Sequence, residues 1–405
     1  KVGFMTMVML ISLLALAVTL AMQGKLPWLD GGLAEGSPTP DNTNTGSPEP
    51  SATPGTTSSP EPTPTPEITD PDKLVLDIES LPSYVGRTAV SSGTYRKKFR
   101  DGATITYSVY QNGKAVDYKP DYTLAFPSGS AYTDLEGVTT FRGNNYRNSP
   151  SFGTRDIREK KLEIIWEQQT GAVSASNSFW PGSGWTGQPI LVHWPEEIRE
   201  LMNISPELKE TDLVEVIYPI LDGNIYFLDL ETGKPTRPKI KLGFSIKGTG
   251  MADPRGYPLF YTGMGLNDND TAGTATSFKY HIYNQIDQSE IFTFPGNDPA
   301  AFRKWGALDS SAVLNRETDT LIQAAENGMI YKIKLNTKFD NTTGAVSMKP
   351  EIVKYRYKSS YTSSQGSGAQ GIEGSPAYYR NLMYFVDNGG TLQCLDINRM
   401  EPVWM

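Results

Sequence analysis

Cysteine and histidine are nearly missing from this sequence, with one of the first and two of the second in 405 residues. A lone Cys394 has no partner for an internal disulfide, which excludes a fold stapled by disulfide bridges. Neither His193 nor His281 stands beside a nucleophile in the sequence, so a Ser-His-Asp or histidine-metal centre has little to build on. Both are expected in the core or on the rim of a strand. Positive charge is scarce as well: 37 Lys and Arg against 45 Asp and Glu leave a net charge of −8, without the basic footprint of a nucleic-acid binder. Nucleic acid is not expected as a partner. Beyond residue 72, no segment sustains the 3.6-residue apolar spacing of helices, which argues against helical bundles and helical solenoids.

Apolar residues are also sparse in "GSPTPDNTNTGSPEPSATPGTTSSPEPTPTPEITDP", residues 36–71, which is almost wholly Pro, Ser, Thr, Gly, Asn and Glu. Such a composition cannot offset chain entropy by burial and favours extended, polyproline-like conformations. Upstream, residues 2–22 read "VGFMTMVMLISLLALAVTLAM", a charge-free run of the length that crosses a ~30 Å hydrocarbon layer. A signal anchor is expected at 1–24. A cleaved signal peptide is the alternative, since Thr19, Leu20 and Ala21 form a small-residue site, although the run exceeds the usual ~7–15 residue apolar core. The chain opens on Lys1 and not on Met, so a cytoplasmic stretch is expected to precede it. The domain plan is therefore a transmembrane helix at 1–24, a linker at 25–72, a small β module at 73–132 and a repeat domain at 133–405. In the module, "ATITYSVYQNGKAVDYKPDYTLAF" alternates apolar and polar residues around Asn112 and Gly113, a hairpin signal; a strand donated to the repeat domain is the other reading.

The repeat is visible as self-similarity. "GNIYFLDLETGKP" from Gly223, "GMIYKIKLNT" from Gly328 and "GTLQCLDINRMEPVW" from Gly390 share a glycine, then apolar and polar alternation, then a turn. A degraded fourth unit, with "YHIYNQIDQSEIF" in the strand and turn, fills the gap between the first two. Earlier strand starts recur as "TGQPILVHW" from Thr186, "LDSSAVLN" from Leu308 and "EGSPAYYRN" from Glu373. Strand-only units with periods near fifty point to an all-β propeller. Each lead glycine is expected at a tight turn with positive φ. The helix candidate "PEEIRELMNISPELKE" from Pro195 reads as an insertion within the first unit.

The strand and turn "IYFLDLETGKP" resembles the repeat of quinoprotein-like β-propellers, in which Leu-Asp runs into a Thr-Gly-Lys turn and a Trp a few residues on docks between blades. Asp229, Thr232 and Gly233 match the turn, but no Trp follows Lys234; Asp396 and Trp404 match the docking end, but Asn398, Arg399 and Met400 replace the turn. "TTFRGNNYRNSPSFGT" from Thr139 is similar to the segment that leads into the first blade of such proteins. The resemblance covers about residues 135–405. Its quinone-dependent members imply a disulfide of adjacent cysteines against the cofactor, which a single Cys394 cannot make, so no cofactor is expected. Four blades are visible and the chain stops just after Trp404, so the expected shape is an incomplete ring with an exposed edge.

Chemistry-bearing residues are few. "DNDTAG" from Asp268 begins like a calcium loop, then fails, with Ala272 in the fifth place and Lys279 where a bidentate Glu belongs; no metal is expected. Phe179, Trp180, Trp185 and Trp194 crowd one Gly- and Pro-rich stretch, where aromatics form stacking platforms for sugars or anchors for a partner, or fill gaps between blades. The expected function is a binding or scaffold protein: a single-pass, membrane-tethered, extracytoplasmic propeller on a bacterial cell surface, with a protein or cell-wall glycan as partner. The alternatives are a quinone-dependent oxidoreductase and a carbohydrate-binding propeller.

Overall fold

A computed structural model of the chain describes residues 94–96, 104–154, 156–174, 179–184, 187–265 and 278–405. The chain divides into two units, Lys1–Pro66 and Glu67–Met405, and every described residue belongs to the second. The apolar run at 2–22, the spacer at 36–71, Trp185 and the loop from Asp268 to Gly273 lie outside the described residues. Among the described residues, no helix is long and apolar enough to cross a membrane.

Four antiparallel sheets follow one another along the chain in a propeller-like arrangement. The first holds Ile190–His193, Val214–Pro219, Asn224–Asp229 and Ile240–Lys241, and the second Met251–Ala252, Leu259–Gly263, Lys279–Asn284 and Glu290–Pro295. The third holds Val313–Asn315, Thr320–Ala324, Met329–Lys334 and Glu351–Ser359, and the fourth Ala377–Tyr379, Leu382–Val386, Leu392–Asp396 and Glu401–Trp404. The degraded repeat unit is thus the second sheet. Gly223, Gly328 and Gly390 take φ of 76°, 81° and 82° in the turns before the third strand of their sheets, the left-handed conformation that glycine adopts without a Cβ penalty. The short helices Glu196–Leu201 and Pro206–Lys209 interrupt the first sheet between its first two strands, as an insertion.

The hairpin around Asn112 and Gly113 forms with both residues at positive φ, 51° and 76°. It does not stand apart as a module. Its strand Thr104–Gln111 pairs along Glu351–Ser359 and so extends the third sheet outward, with Thr94–Arg96 and Lys114–Val116 sharing its far edge. The reason lies in the alternation: Ile105 and Val109 point into the cluster between the third and fourth sheets, where burial removes apolar surface from water.

One irregular segment, residues 136–148, holds the first strands of all four sheets. Its strand Glu136–Val138 pairs with Ile190–His193 of the first sheet, and Gly137 is required there, since a Cβ would lie 2.0 Å from the Leu191 carbonyl oxygen. The Thr139 carbonyl accepts from the Ala252 amide of the second sheet at 2.8 Å. Thr140 Oγ1 meets Ser311 Oγ at 2.9 Å and donates to the Ala312 carbonyl at 3.0 Å, at the entrance to the third sheet. The Asn145 carbonyl accepts from the Tyr378 amide of the fourth at 2.8 Å. A segment that reaches every first strand marks the axis on which the sheets converge.

Three apolar clusters join neighbouring sheets. Ile190, Val192, Ile217 and Phe227 pack against Ala252, Phe260 and Tyr283. Leu259, Tyr261 and Ile282 pack against Leu314, Leu321 and Tyr331. Val313, Ile322, Ile330 and Tyr355 pack against Tyr378, Met383, Phe385 and Leu395. Among the described residues no such cluster joins the fourth sheet to the first. The first sheet's other face carries Val216, Ile220, Tyr226 and Leu228, and the fourth's carries Leu382, Cys394 and Val403, each in a separate cluster.

If the lead glycines serve φ alone, alanine should cost a similar amount at each; if the neighbours matter, the sites should differ. A Cβ at Gly390 meets nothing within 4 Å, whereas one at Gly223 would lie 2.8 Å from Val173 Cγ2 and 3.0 Å from the Phe244 amide nitrogen. Gly390→Ala is expected to lose about 1–2 kcal/mol from the left-handed backbone alone, and Gly223→Ala distinctly more. Urea denaturation of the two variants measures this, and equal losses would contradict it.

Candidate functional site

Of the aromatic residues singled out from the sequence, Phe179, Trp180 and Trp194 are described and Trp185 is not. Phe179 and Trp180 lie on the hairpin Ala172–Ser174 and Phe179–Pro181, with Phe179 64% exposed. Trp194 is buried between the first and second sheets. Its Nε1 donates to Glu215 Oε2 at 2.9 Å, and the same carboxylate takes Thr236 Oγ1 at 2.6 Å and Arg237 Nε at 3.0 Å. Glu215 and Arg237 are fully buried as an ion pair. Trp194 is therefore a packing residue whose polar atom is satisfied by a buried charge, and that charge lies too far along the sequence to be anticipated from the tryptophan spacing.

Both aspartate-led turns are closed by side-chain to backbone hydrogen bonds. Asp229 accepts from the Glu231 and Thr232 amides at 3.1 and 3.2 Å and from Thr232 Oγ1 at 2.5 Å, and Gly233 takes φ of 68°. Asp396 accepts from the Asn398 and Arg399 amides at 2.9 and 3.2 Å, with Met400 at φ 55° in the place of the glycine. The tryptophan missing after Lys234 arrives from upstream. Trp166 donates through Nε1 to the Leu230 carbonyl at 2.9 Å, and its ring lies over Gly233, where a Cβ would come within 2.4 Å of Cδ2. Trp404 packs on Tyr384 at 5.9 Å between ring centroids, on the fourth sheet's free face. Cys394 is buried on that same face, where burial pushes its thiol up to about 12. It is a small apolar filler.

The histidines are paired with carboxylates only. His193 lies 3.0 Å from Glu136 and 2.8 Å from Asp212, and His281 lies 2.6 Å from Glu290, with burial pulling the His281 imidazole below its ordinary range. Neither faces a nucleophile.

A group the sequence reading missed lies in the turns and connections that precede strands, on the side of the lead-glycine turns. Lys247 comes from the connection between the first and second sheets, Asp309 and Arg303 from the next, Glu326 from the Gly328 turn, and Glu373 from the connection to the fourth sheet. Lys247 Nζ lies 2.7 Å from Asp309 Oδ2, 3.1 Å from Glu326 Oε1 and 3.7 Å from Glu373 Oε2, and Arg303 Nη1 lies 2.8 Å from Glu326 Oε2. The three carboxylates are within 4.8 Å of one another. Burial, and then the hydrogen bond shared with Glu326, raises the Asp309 carboxyl well above the usual carboxylate range. Burial also acts to raise Glu326, but Asp309, Lys247 and Arg303 together hold it low. Burial acts to lower the Lys247 ammonium, and the carboxylates outweigh it. The raised Asp309 carboxyl favours its protonated form, which lessens the negative charge facing the two cations.

Three converging carboxylates could ligate a divalent cation. Here the Lys247 ammonium already lies against all three. The residues fit a quinone and calcium site poorly for the same reason. Of the tryptophans, Trp194 is in the core, Trp404 packs on Tyr384, and Trp305 packs edge-on against Phe278 at 4.8 Å.

No protein-family model and no curated protein matches the sequence. Among solved structures, quinoprotein-type β-propellers are similar. BamB from Moraxella catarrhalis aligns with 47% of this chain and 48% of its own at 13% identity and a TM-score of 0.28. A europium-containing methanol dehydrogenase aligns over 66% and 57% at 12% identity and 0.32, and the quinohemoprotein alcohol dehydrogenase ADHIIG from Pseudomonas putida HK5 over 67% and 51% at 10% and 0.27. The chain spans about half the length of these proteins. The class that the sheets themselves define is an all-β protein of four propeller-like blades.

The carboxylate cluster has a pH signature. Asp309 has a raised pKa in the folded protein, so its contribution is present below the unfolded value and is lost as pH rises through the folded value. Asp309→Asn keeps a hydrogen-bond donor toward Glu326 and removes the titration. Stability of the parent measured by urea at pH 5 and pH 8 should fall more over that interval than stability of the variant; parallel slopes would count against a protonated Asp309.

Proposed function

We propose that this chain is a binding or scaffold propeller that works without a cofactor, tethered outside a cell membrane by the apolar run at 2–22 and the Pro-, Ser- and Thr-rich spacer at 36–71. The observation that carries the reading is the state of the axis and of the charged group beside it. Residues 136–148 fill the convergence of the four first strands, and Lys247 and Arg303 bond to the one carboxylate cluster within 4.8 Å of itself among the described residues. A redox cofactor needs polar groups held around an open cavity, and the cations already bonded to the carboxylate cluster argue against one there.

A protein partner suits the surface better than a glycan. Leu162, Ile164 and Ile165 are 92%, 79% and 79% exposed beside the seated Trp166, and a groove of about 700 Å³ runs next to them, lined by Trp166, Val216, Tyr218, Tyr226 and Leu228. Contiguous exposed apolar surface of this kind marks protein interaction sites. Sugar recognition rested on stacking by Phe179, Trp180, Trp185 and Trp194, and burial takes Trp194 out of that set.

Purified protein supplied with pyrroloquinoline quinone and calcium should show neither a change in quinone absorbance nor alcohol-dependent dye reduction; turnover would overturn the reading. Limited proteolysis should cut first within 36–71, and protection of that stretch would remove the tether from it.

A further inference from the structure

Arg147 sits on the axis with its charge uncompensated. The residue is 7% exposed, and its guanidinium makes hydrogen bonds only to neutral oxygens: Nε to the Pro376 carbonyl at 2.9 Å, Nη1 to Thr140 Oγ1 and the Phe141 carbonyl at 3.0 Å each, and Nη2 to the Ser311 carbonyl at 2.8 Å. Among the described residues no carboxylate pairs with it. One Nη2 hydrogen is left over from the five donors of the guanidinium. Burying a charge without a counter-ion costs several kcal/mol in a folded protein.

Two tyrosine hydroxyls lie within electrostatic reach of this guanidinium, and both lack a good acceptor. The Tyr378 hydroxyl is buried with no hydrogen-bond partner. The Tyr132 hydroxyl accepts from the Leu314 amide at 3.3 Å, and the best acceptor for its own hydrogen is Met251 Sδ at 3.6 Å, a weak one. Neither phenol can serve as the missing anion. Burial raises both above the ordinary tyrosine range, and the opposing pull of Arg147 is smaller. Both therefore stay neutral donors. The axis holds a surplus of hydrogen-bond donors together with a surplus positive charge.

We propose that the axis binds one monovalent anion of halide size, chloride in ordinary solution, held by the remaining Nη2 hydrogen of Arg147 and by the hydroxyls of Tyr378 and Tyr132. A water molecule at this point would leave the guanidinium charge unbalanced. An anion satisfies charge and donors together. Its role is structural, because the acceptors of Arg147 belong to the entrances of the third and fourth sheets.

The test is thermal unfolding of the protein in chloride, bromide or gluconate at one fixed ionic strength. Halide should raise the midpoint with a saturating concentration dependence, as a ligand of the native state does; identical midpoints in chloride and gluconate would overturn the proposal. Arg147→Met removes the charge together with four hydrogen bonds that hold the axis, so Tyr378→Phe is the working variant, since it deletes one donor and keeps the ring. It should weaken apparent halide affinity about tenfold, the equivalent of roughly 1.4 kcal/mol. Halide stabilisation unchanged in Tyr378→Phe would put the ion elsewhere and overturn the assignment. Anomalous scattering from a bromide-soaked crystal should give a peak beside Arg147 Nη2, and its absence there would do the same.

Discussion

Four sheets are held by one stretch of irregular backbone. Residues 136–148 carry a short strand, a glycine that permits close approach to Leu191, and polar groups that bond in turn to the first strands or entrances of all four sheets. Neighbouring sheets are bound by apolar burial, which is strong but has no direction. Hydrogen bonds at the axis supply direction, fixing where each sheet begins. Removing one partner from such a buried set leaves its mate desolvated, which costs about 1–3 kcal/mol for each group. The axial set is for this reason more sensitive to substitution than its length suggests.

Buried charge is managed in different ways among the described residues. Glu215 and Arg237 neutralise each other and use the remaining lone pairs of the carboxylate on Trp194 and Thr236, the full satisfaction that a buried pair requires. The group around Lys247 lessens its negative charge by favouring a proton on Asp309. Arg147 has neither a carboxylate nor a proton to shed, since a guanidinium stays charged in proteins. That difference is the reason the axis, and not the carboxylate group, is where an external ion is called for.

The first and fourth sheets differ in how their outward clusters are covered. The first sheet's face is partly closed by Trp166, whose ring lies over the Gly233 turn. The fourth sheet's face has its own Trp404 folded over Tyr384. The exposed apolar residues at 162, 164 and 165 directly precede the seated Trp166, which packs with the first sheet.

Local periodicity determined much of this protein. The lead glycines at 223, 328 and 390, the aspartate-led turns at 229 and 396, the hairpin at 112 and 113 and the insertion after Pro195 are all fixed by residues within a few positions of one another, where φ preference and turn chemistry act. Tertiary structure decided the rest. Trp166 reaches a turn 64 positions away, Arg147 a carbonyl 229 away, and the hairpin strand Thr104–Gln111 joins Glu351–Ser359. The carboxylates at 309, 326 and 373 are unremarkable in sequence and meet only because successive sheets turn the connections before their strands toward one another. Spacing along a chain encodes which face a residue shows; which distant residue meets that face depends on how the sheets pack, and no local pattern carries that.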